Sequence, residues 1–194
     1  MFTHTAMVVA AVPPELPLRW AALLHDIGKP PCFTLDENGR GHFLGHASVS
    51  AEMADGILRR LKAPTALRKR VVELIRLHMN PLEADRKLLR RRLCQYGPEG
   101  VRALLELQKA DFGGKGVGEP YPYGPVENLL EEVLAEAACL GLKDLAVNGK
   151  DLMALGFPAG KKLGACLNRL LELVLEEKIP NEKEVLLRQA LEMR

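Results

Sequence analysis

Histidine and aspartate side chains recur in the first half of the chain at positions suited to metal chemistry. Within residues 20–30, an apolar run ends at His25-Asp26, and Gly28 and Lys29 follow. Burying unpaired polar groups is costly, so adjacent His and Asp residues at the end of a buried helix need a partner. An imidazole nitrogen and a carboxylate oxygen are suitable ligands for a divalent metal. We expect Gly28 to end this helix and Lys29 to lie where it meets an anion.

Four further residues of the same kinds lie on the apolar faces of separate predicted helices. They are His4, His46, His78 and Asp111. A histidine on an apolar face, taken alone, is typical of a hydrogen-bonded core residue. Inward-facing charges together need partners, however, and no matching set of inward lysines or arginines is visible. The pattern therefore predicts a shared metal ion.

The ligand types indicate which metals fit and what they do. Mixed His and Asp ligands without a thiolate favour Mn, Fe, Mg, Zn, Co or Ni over a structural zinc cage. For one ion, we predict the ligands His4, His25, Asp26 and Asp111. For two ions, we predict that His46 and His78 hold the second metal, with Asp26 as the bridge. The alternative is that His46 and His78 bind a phosphate. A metal of this kind activates water and polarises a phosphoryl oxygen, so we predict hydrolysis, with Asp26 and Lys29 as catalytic residues.

Bulk composition indicates a single core, with or without a small appendage. The chain has 194 residues, is 47% hydrophobic and carries a net charge of +2. Its four cysteines are widely spaced, as is typical of free thiols in a reducing compartment. The apolar start of the chain lacks a basic leader and is interpreted as a helix, and no apolar run is long enough to span a membrane. We expect a cytoplasmic protein.

Hydrophobic periodicity predicts an all-α protein. Helices are predicted over residues 2–11, 17–28, 46–61, 64–79, 83–93, 98–112, 126–140, within 142–156, and over 161–178. A last helix is predicted to be capped by Asn181, with Glu184 three positions on. One small hairpin is predicted over residues 33–43, around an Asn-Gly turn. A Gly/Pro-rich linker over 114–125 is predicted to separate a helical bundle, 1–113, from a smaller helical module, 126–194.

The order of the candidate ligands resembles the HD-domain superfamily of metal-dependent phosphohydrolases. Residues 24–29, Leu-His-Asp-Ile-Gly-Lys, are a typical form of that family's motif. The resemblance covers about residues 1–113. It implies an HD-type helical bundle, one or two divalent metals and phosphohydrolase activity.

A second resemblance covers more of the chain. Residues 39–48, 90–93, 145–156 and 179–182 are similar to the C-terminal half of bacterial CCA-adding enzymes, the tRNA nucleotidyltransferases that carry an HD domain. In that family an N-terminal nucleotidyltransferase domain builds the tRNA 3′ end. The sequence contains no Gly-Ser or Gly-Gly loop followed by an Asp-x-Asp pair. We therefore expect a fragment or a stand-alone remnant that does not polymerise CCA by itself.

Two features are candidates for contacting an RNA backbone. Basic clusters occur near residues 59–62, 68–70 and 86–92, and the alternative is that they form solvated helix faces. The Gly/Pro turn at 155–160 opens a helix with two lysines and free backbone N–H groups, which suits a phosphate. An ordinary helix–helix turn is the alternative there, and the resemblance to CCA-adding enzymes favours a tRNA contact. The predicted RNA-binding residues are Arg90, Arg91, Arg92, Lys161 and Lys162.

Two main functional hypotheses follow. The first is a metal-dependent phosphohydrolase acting on a nucleotide or tRNA 3′-end phosphate, including the 2′,3′-cyclic phosphodiesterase, 2′-nucleotidase or phosphatase activity that the resemblance implies. The second is a non-catalytic tRNA-binding half of a CCA-adding enzyme, whose metal site is idle or stabilising. A remnant that binds neither metal nor RNA is the third alternative. The sequence leaves the metal, the substrate and the oligomeric state, a homodimer included, open.

Overall fold

The computed structural model describes residues 2–114, 123–136 and 139–193, and these are almost wholly helical. The helices are α1 (Phe2–Ala11), α2 (Leu16–Leu24), α3 (His46–Arg60), α4 (Thr65–Leu77), α5 (Arg86–Gly113), α6 (Tyr123–Ala135), α7 (Gly149–Ala154), α8 (Lys161–Leu175) and α9 (Lys183–Glu192). The strands β1 (Thr34–Leu35) and β2 (Gly41–His42) form the predicted hairpin, antiparallel, with Thr34 opposite His42. The prediction of an all-α protein is confirmed. None of the described helices combines the length and apolar character needed to cross a membrane.

The chain divides into two compact units. The first comprises Met1–Leu82 and Glu99–Tyr123, and the second comprises Glu83–Pro98 and Gly124–Arg194. Helix α5 contributes to both, and its backbone leaves helical geometry at Gly97, where φ is 68° and ψ is 169°. The predicted linker falls largely on residues 115–122, which lie outside the described residues, and its last three positions already belong to α6.

The first unit is a helical bundle in which α4 packs against both α2 and α3, and α1 packs against α2. Helical spacing predicts that Leu67, Val71 and Leu74 of α4 face the core; Val71 and Leu74 are buried, whereas Leu67 is half-buried. The predicted inner face of the second half of α5, formed by Val101, Leu104 and Leu107, is confirmed, because all three are almost fully buried. Helix α2 is shorter than predicted: it ends at Leu24, and residues 25–29 form successive turns. Those turns carry the His-Asp pair.

The buried face of α3 differs from the prediction. Helical spacing predicts that Val49, Met53 and Ile57 face the core beside His46, but Met53 is 40% exposed. The buried positions are instead small or polar, with one leucine. They are His46, Ser50, Ala51, Ala54 and Leu58. At Ser50, α3 lies in close contact with the turn at Gly28, because a β-carbon on Gly28 would be only 2.6 Å from Ser50 N.

The second unit packs α7, α8 and α9 around Leu152, Leu170 and Leu186, all fully buried. Cys139 and Cys166 lie in the same core, and Cys94 packs against it. All four cysteines are free thiols, as predicted.

The predicted cap of the last helix is wrong. Helix α9 begins after Glu182 and has no side-chain cap. Asn181 instead binds the preceding loop, where its Oδ1 accepts from the Ala146 N–H at 2.9 Å and its Nδ2 donates to the Asp144 carbonyl at 2.8 Å. The capping box lies at α7, where the Asn148 side chain accepts from the backbone of Asp151 and the Asp151 side chain accepts from the backbone of Asn148.

Replacing Asn148 with alanine is expected to destabilise the second unit by about 1 kcal/mol, since the helix loses its cap. Chemical denaturation followed by circular dichroism measures the change. Asn168→Ala, at an exposed interior position of α8, is the matched control and is expected to be neutral or slightly stabilising. Equal effects of the two variants would contradict the capping role.

Candidate functional site

The first unit brings all six predicted ligand residues together. His4 Nε2 lies 3.3 Å from His25 Nε2 and 3.1 Å from Asp111 Oδ1. On the other side, His46 Nε2 lies 3.3 Å from His78 Nε2. These side chains come from α1, the turn after α2, α3, the end of α4 and the second half of α5.

Asp26 lies between the two groups of histidines. Its Oδ2 is 3.4 Å from His25 Nε2, and its Oδ1 is 3.4 Å from His46 Nε2. Each oxygen therefore faces a different group. His4, His25 and Asp26 form one set of donor atoms with the proximity that a metal needs, and Asp26, His46 and His78 form another.

Three of the histidines are held in a defined orientation by backbone carbonyls. The Nδ1 atoms of His25, His46 and His78 donate to the carbonyls of Ala22, Phe43 and Ile75, at 2.8, 2.8 and 2.6 Å respectively. A neutral imidazole that donates through Nδ1 carries its lone pair on Nε2. All three Nε2 atoms point into the cluster, and this carbonyl support is typical of metal-ligating histidines.

The charges inside the cluster partly compensate one another. Lys29 Nζ donates to Asp26 Oδ2 at 2.5 Å. Burial would raise the pKa of Asp26. The hydrogen bonds from His25 and Lys29 outweigh this effect and hold the pKa of Asp26 well below its ordinary range. The Asp26 carboxylate is therefore ionised.

The two most buried histidines have opposite pKa shifts. Burial alone would lower the pKa of His25, but hydrogen bonds to Asp111 and Asp26 raise it to about 9. Burial lowers the pKa of His78 to about 4, so this imidazole is neutral. Without a metal, a proton on His25 and the Lys29 ammonium together balance the charge of the two carboxylates.

The donor set fits a divalent ion. Asp26 Oδ1 is buried and makes no hydrogen bond among the described residues. A buried oxygen without a hydrogen bond costs free energy unless a ligand binds to it. Imidazole nitrogens and carboxylate oxygens without a thiolate suit Mn, Fe, Co, Ni, Zn or Mg. Metal binding itself stays a prediction.

A cavity of about 440 Å³ leads to the cluster between the hairpin and the start of α3. Its lining includes Asp26, Lys29, His46 and Asp111. Lys29 Nζ lies 5.7 Å from the centre of the Phe43 ring. The one histidine outside the cluster, His42, also lines the cavity. Its Nε2 forms a hydrogen bond of 2.9 Å with Asp36 Oδ2 on the exposed hairpin.

Two residues that hold the site in place were not predicted from the sequence. Gln108 accepts from the Leu82 N–H at 3.1 Å and donates to the carbonyls of His78 and Asn80, thereby fixing the turn after α4. Ser50 accepts from the Gly28 N–H at 2.9 Å. Both are polar residues on a buried helix face, three or four positions from a predicted ligand. That spacing could have indicated a role in positioning the site.

Two glycines have steric roles at the site. Gly28, expected to end a helix, lies against α3, where a β-carbon would be 2.6 Å from Ser50 N and 2.8 Å from His46 O. Gly114, assigned to the linker, lies against His4, and a β-carbon there would be 2.9 Å from His4 Nδ1. The sequence showed both glycines but not the neighbours that require them.

The predicted RNA-binding arginines are engaged within the second unit. Arg90 is 9% exposed, and its Nη1 donates to Glu177 Oε1 at 2.9 Å. Arg91 is paired with Glu176. Arg92 lies 6.0 Å from the centre of the Tyr96 ring. Arg90 therefore has a structural partner already, and RNA binding by the three arginines stays a prediction.

Lys161 and Lys162 occupy the first turn of α8 and are exposed. The turn before them is confirmed: Gly160 has a φ of 125°, and no side chain caps the helix. A helix end of this kind presents N–H groups and a partial positive charge to solvent.

Comparison with known proteins identifies the family. A family model described as tRNA nucleotidyltransferase domain 2 matches residues 37–190. The chain belongs to the tRNA nucleotidyltransferase family. It is 36% identical over 178 residues to a CC-adding tRNA nucleotidyltransferase of Thermus thermophilus, an alignment that covers 88% of this chain and 39% of the relative. No solved structure matched the chain.

Two other relatives are consistent with this family. An A-adding tRNA nucleotidyltransferase of Deinococcus radiodurans is 39% identical over 81% of this chain and 37% of its own length. A multifunctional CCA protein of an Azoarcus species is 35% identical over 63% of this chain and 31% of its own length. The chain thus spans between 31% and 39% of the length of these relatives.

The family match corrects the first functional hypothesis. The sequence motif around Asp26 and Lys29 predicted a metal-dependent phosphohydrolase. The matching family and the relatives are tRNA nucleotidyltransferases, so the prediction of a hydrolase is wrong. A cluster of metal-ligand types does not by itself specify a reaction.

Proposed function

We propose that this chain is the non-catalytic, tRNA-binding part of a tRNA nucleotidyltransferase. The observation that carries the proposal is the family match over residues 37–190, which includes most of both units. The relatives that it resembles are named for adding CC, A or CCA. The 194 residues contain no Gly-Ser or Gly-Gly loop followed by an Asp-x-Asp pair, the pattern expected of the nucleotidyltransferase domain. In this proposal they supply binding, and nucleotide addition takes place elsewhere in the enzyme.

The α8 N-terminus is the tRNA contact in this proposal. Lys161 and Lys162 stand beside backbone N–H groups that no side chain caps. Backbone amides and lysines together suit a phosphate group, since the helix dipole and the ammonium charges both favour an anion. Arg90 and Arg91, in contrast, are already paired with carboxylates.

The buried cluster of the first unit binds a divalent metal in this proposal, as the resemblance to the HD-domain superfamily implies. His4, His25, Asp26 and Asp111 would hold one ion, and Asp26, His46 and His78 would hold a second. The ion stabilises the first unit by joining α1, α3, α4 and α5. Metal that binds only the folded chain raises stability by mass action.

Replacing both Lys161 and Lys162 with alanine is expected to weaken tRNA binding and its dependence on salt. Each lost phosphate contact lowers the magnitude of the slope of log K against log salt concentration by about 1. We therefore expect a decrease of about 2. Fluorescence anisotropy with labelled tRNA, from 50 to 200 mM salt, measures both quantities.

The matched control removes the same charge from the same unit. Lys143 and Lys150 are exposed and lie outside α8, and their double alanine variant is expected to keep the slope of the unmodified chain. Equal losses in both double variants would show that general charge, not the α8 N-terminus, attracts tRNA. Absence of tRNA binding by the unmodified chain would exclude the proposed function.

A further inference from the structure

A cavity of about 610 Å³ lies beside α8 in the second unit. Its deepest lining residues are Phe157 and Cys166, which are 8% and 7% exposed, and Met193 lines it as well. Lys162 and Arg169 line it with their cationic side chains, and no acidic residue is among the described lining residues. The cavity therefore combines an apolar floor with a positive rim. Its volume is within the range of about 300–1,000 Å³ that is typical of small-ligand sites.

The turn between α7 and α8 builds this cavity. Gly156 and Gly160 have φ values of 87° and 125°, which glycine adopts without the strain that a side chain would add. Between them, the Phe157 N–H donates to the Leu152 carbonyl at 3.1 Å, and the Phe157 ring belongs to the core of the second unit. The floor is therefore fixed by the fold.

The two cations of the rim are available to a ligand. Lys162 and Arg169 are seven residues apart on α8, so they lie on the same helix face, about 10 Å apart along its axis. Arg169 donates one hydrogen bond to Glu172 at 2.9 Å, but this pair is exposed and weak. The remaining guanidinium N–H groups can still meet an anion.

A second cavity in the same unit, of about 620 Å³, has a different character. Its lining includes Arg90 and Lys178 but also Glu136 and Glu177, and Arg90 is paired with Glu177. Its charges are already compensated. The cavity beside α8 is thus the better site for an anion with an apolar body.

We infer that the cavity beside α8 takes one nucleotide of the bound tRNA. The base lies against Phe157 and Met193, and the adjoining phosphates meet Lys162 and Arg169. This inference rests on the proposed function, because it assigns a nucleotide pocket to the same tRNA-binding helix. The apolar floor and the positive rim suit a ligand that joins an anion to a flat ring. An unpaired nucleotide supplies both the ring and the anion.

Filling the cavity without changing its charge tests the inference. Ala165 lines the cavity between Lys162 and Arg169 and is exposed, so Ala165→Leu occupies space while keeping a good helix former. Asn168→Leu, at an exposed position of α8 outside the lining, is the matched control. We expect Ala165→Leu to weaken tRNA binding about tenfold with an unchanged salt slope, since a base loses its stacking contact. Asn168→Leu is expected to bind as the unmodified chain does.

These measurements distinguish failure of the nucleotide pocket from failure of the proposed function. If the unmodified chain binds tRNA and the two leucine variants bind equally well, the nucleotide pocket is excluded while the proposed function stands. If the unmodified chain does not bind tRNA, the proposed function fails and the pocket with it. Circular dichroism of both variants excludes unfolding as a cause of lost binding.

Discussion

Replacing Gly28 with alanine is expected to destabilise the first unit by about 3 kcal/mol, because overpacking against backbone atoms forces the chain to shift. A β-carbon at this position would meet Ser50 N at 2.6 Å, His46 O at 2.8 Å and Ser50 Oγ at 2.9 Å. The first two are backbone atoms of α3, which cannot move without displacing the whole helix. Trp20, the single tryptophan, lies in α2 and reports on the unfolding of this unit by its fluorescence.

The matched control for Gly28→Ala is Gly56→Ala in α3. Gly56 is exposed within the helix, and a β-carbon there would meet nothing within 4 Å. Alanine is favoured over glycine inside a helix, so this variant is expected to gain about 0.5–1 kcal/mol. A Gly28 variant as stable as the Gly56 variant would contradict the close contact between the His-Asp turn and α3.

Replacing Asp26 with asparagine is expected to abolish metal binding. Asp26 supplies one oxygen to each group of histidines, at 3.4 Å from both His25 and His46. The neutral amide removes the charge that a divalent ion requires from both groups at once. Elemental analysis of the purified protein is expected to show at least one divalent ion per unmodified chain and less than about 0.1 per Asp26→Asn chain.

Chelation of the unmodified protein supplies the second readout. Removing a metal present at a hundredfold excess over its Kd costs about 2.7 kcal/mol, so we expect Tm to fall by roughly 10 °C. Asp36→Asn, on the exposed hairpin, is the control variant and is expected to keep both the metal and the Tm shift. Metal retained by Asp26→Asn, or a Tm indifferent to chelation, would count against a stabilising metal.

Helical periodicity predicted the positions of the site residues well but not their contacts. The inner face of α5 was readable because Leu104, Leu107 and Asp111 follow the helical repeat and are all buried. The same repeat placed His4, His46 and His78 on the inner faces of three further helices. The role of Gly28 did not, since close approach depends on which helix lies opposite and not on the local sequence.

Two asparagines show where local sequence reasoning ends. Asn148 and Asn181 each have an acidic residue three positions on, the pattern of a capping box. Only Asn148 forms one, because Asn181 is committed to hydrogen bonds with Ala146 and Asp144, far away in sequence. The local pattern is the same, and tertiary contacts decide between the two outcomes.

The same limit applies to charge and to function. The run Arg90–Arg92 has the composition of an RNA-binding segment, yet Arg90 and Arg91 pair with Glu177 and Glu176, more than eighty residues later. The His-Asp motif indicated a metal site but also suggested hydrolysis, which the family match contradicts. Residue types at a site indicate which ligands it can bind, whereas the reaction depends on the whole protein.

The most direct test of the central claim compares the affinity of the unmodified chain for tRNA with its affinity for an unstructured RNA of the same length. Both carry the same number of phosphates, so a surface that recognises charge alone separates them only by the somewhat lower charge density of the unstructured strand. Titrations by fluorescence anisotropy at 150 mM salt are expected to show at least about tenfold tighter binding of tRNA. Equal affinities would contradict the proposal that this chain is the tRNA-binding part of its enzyme.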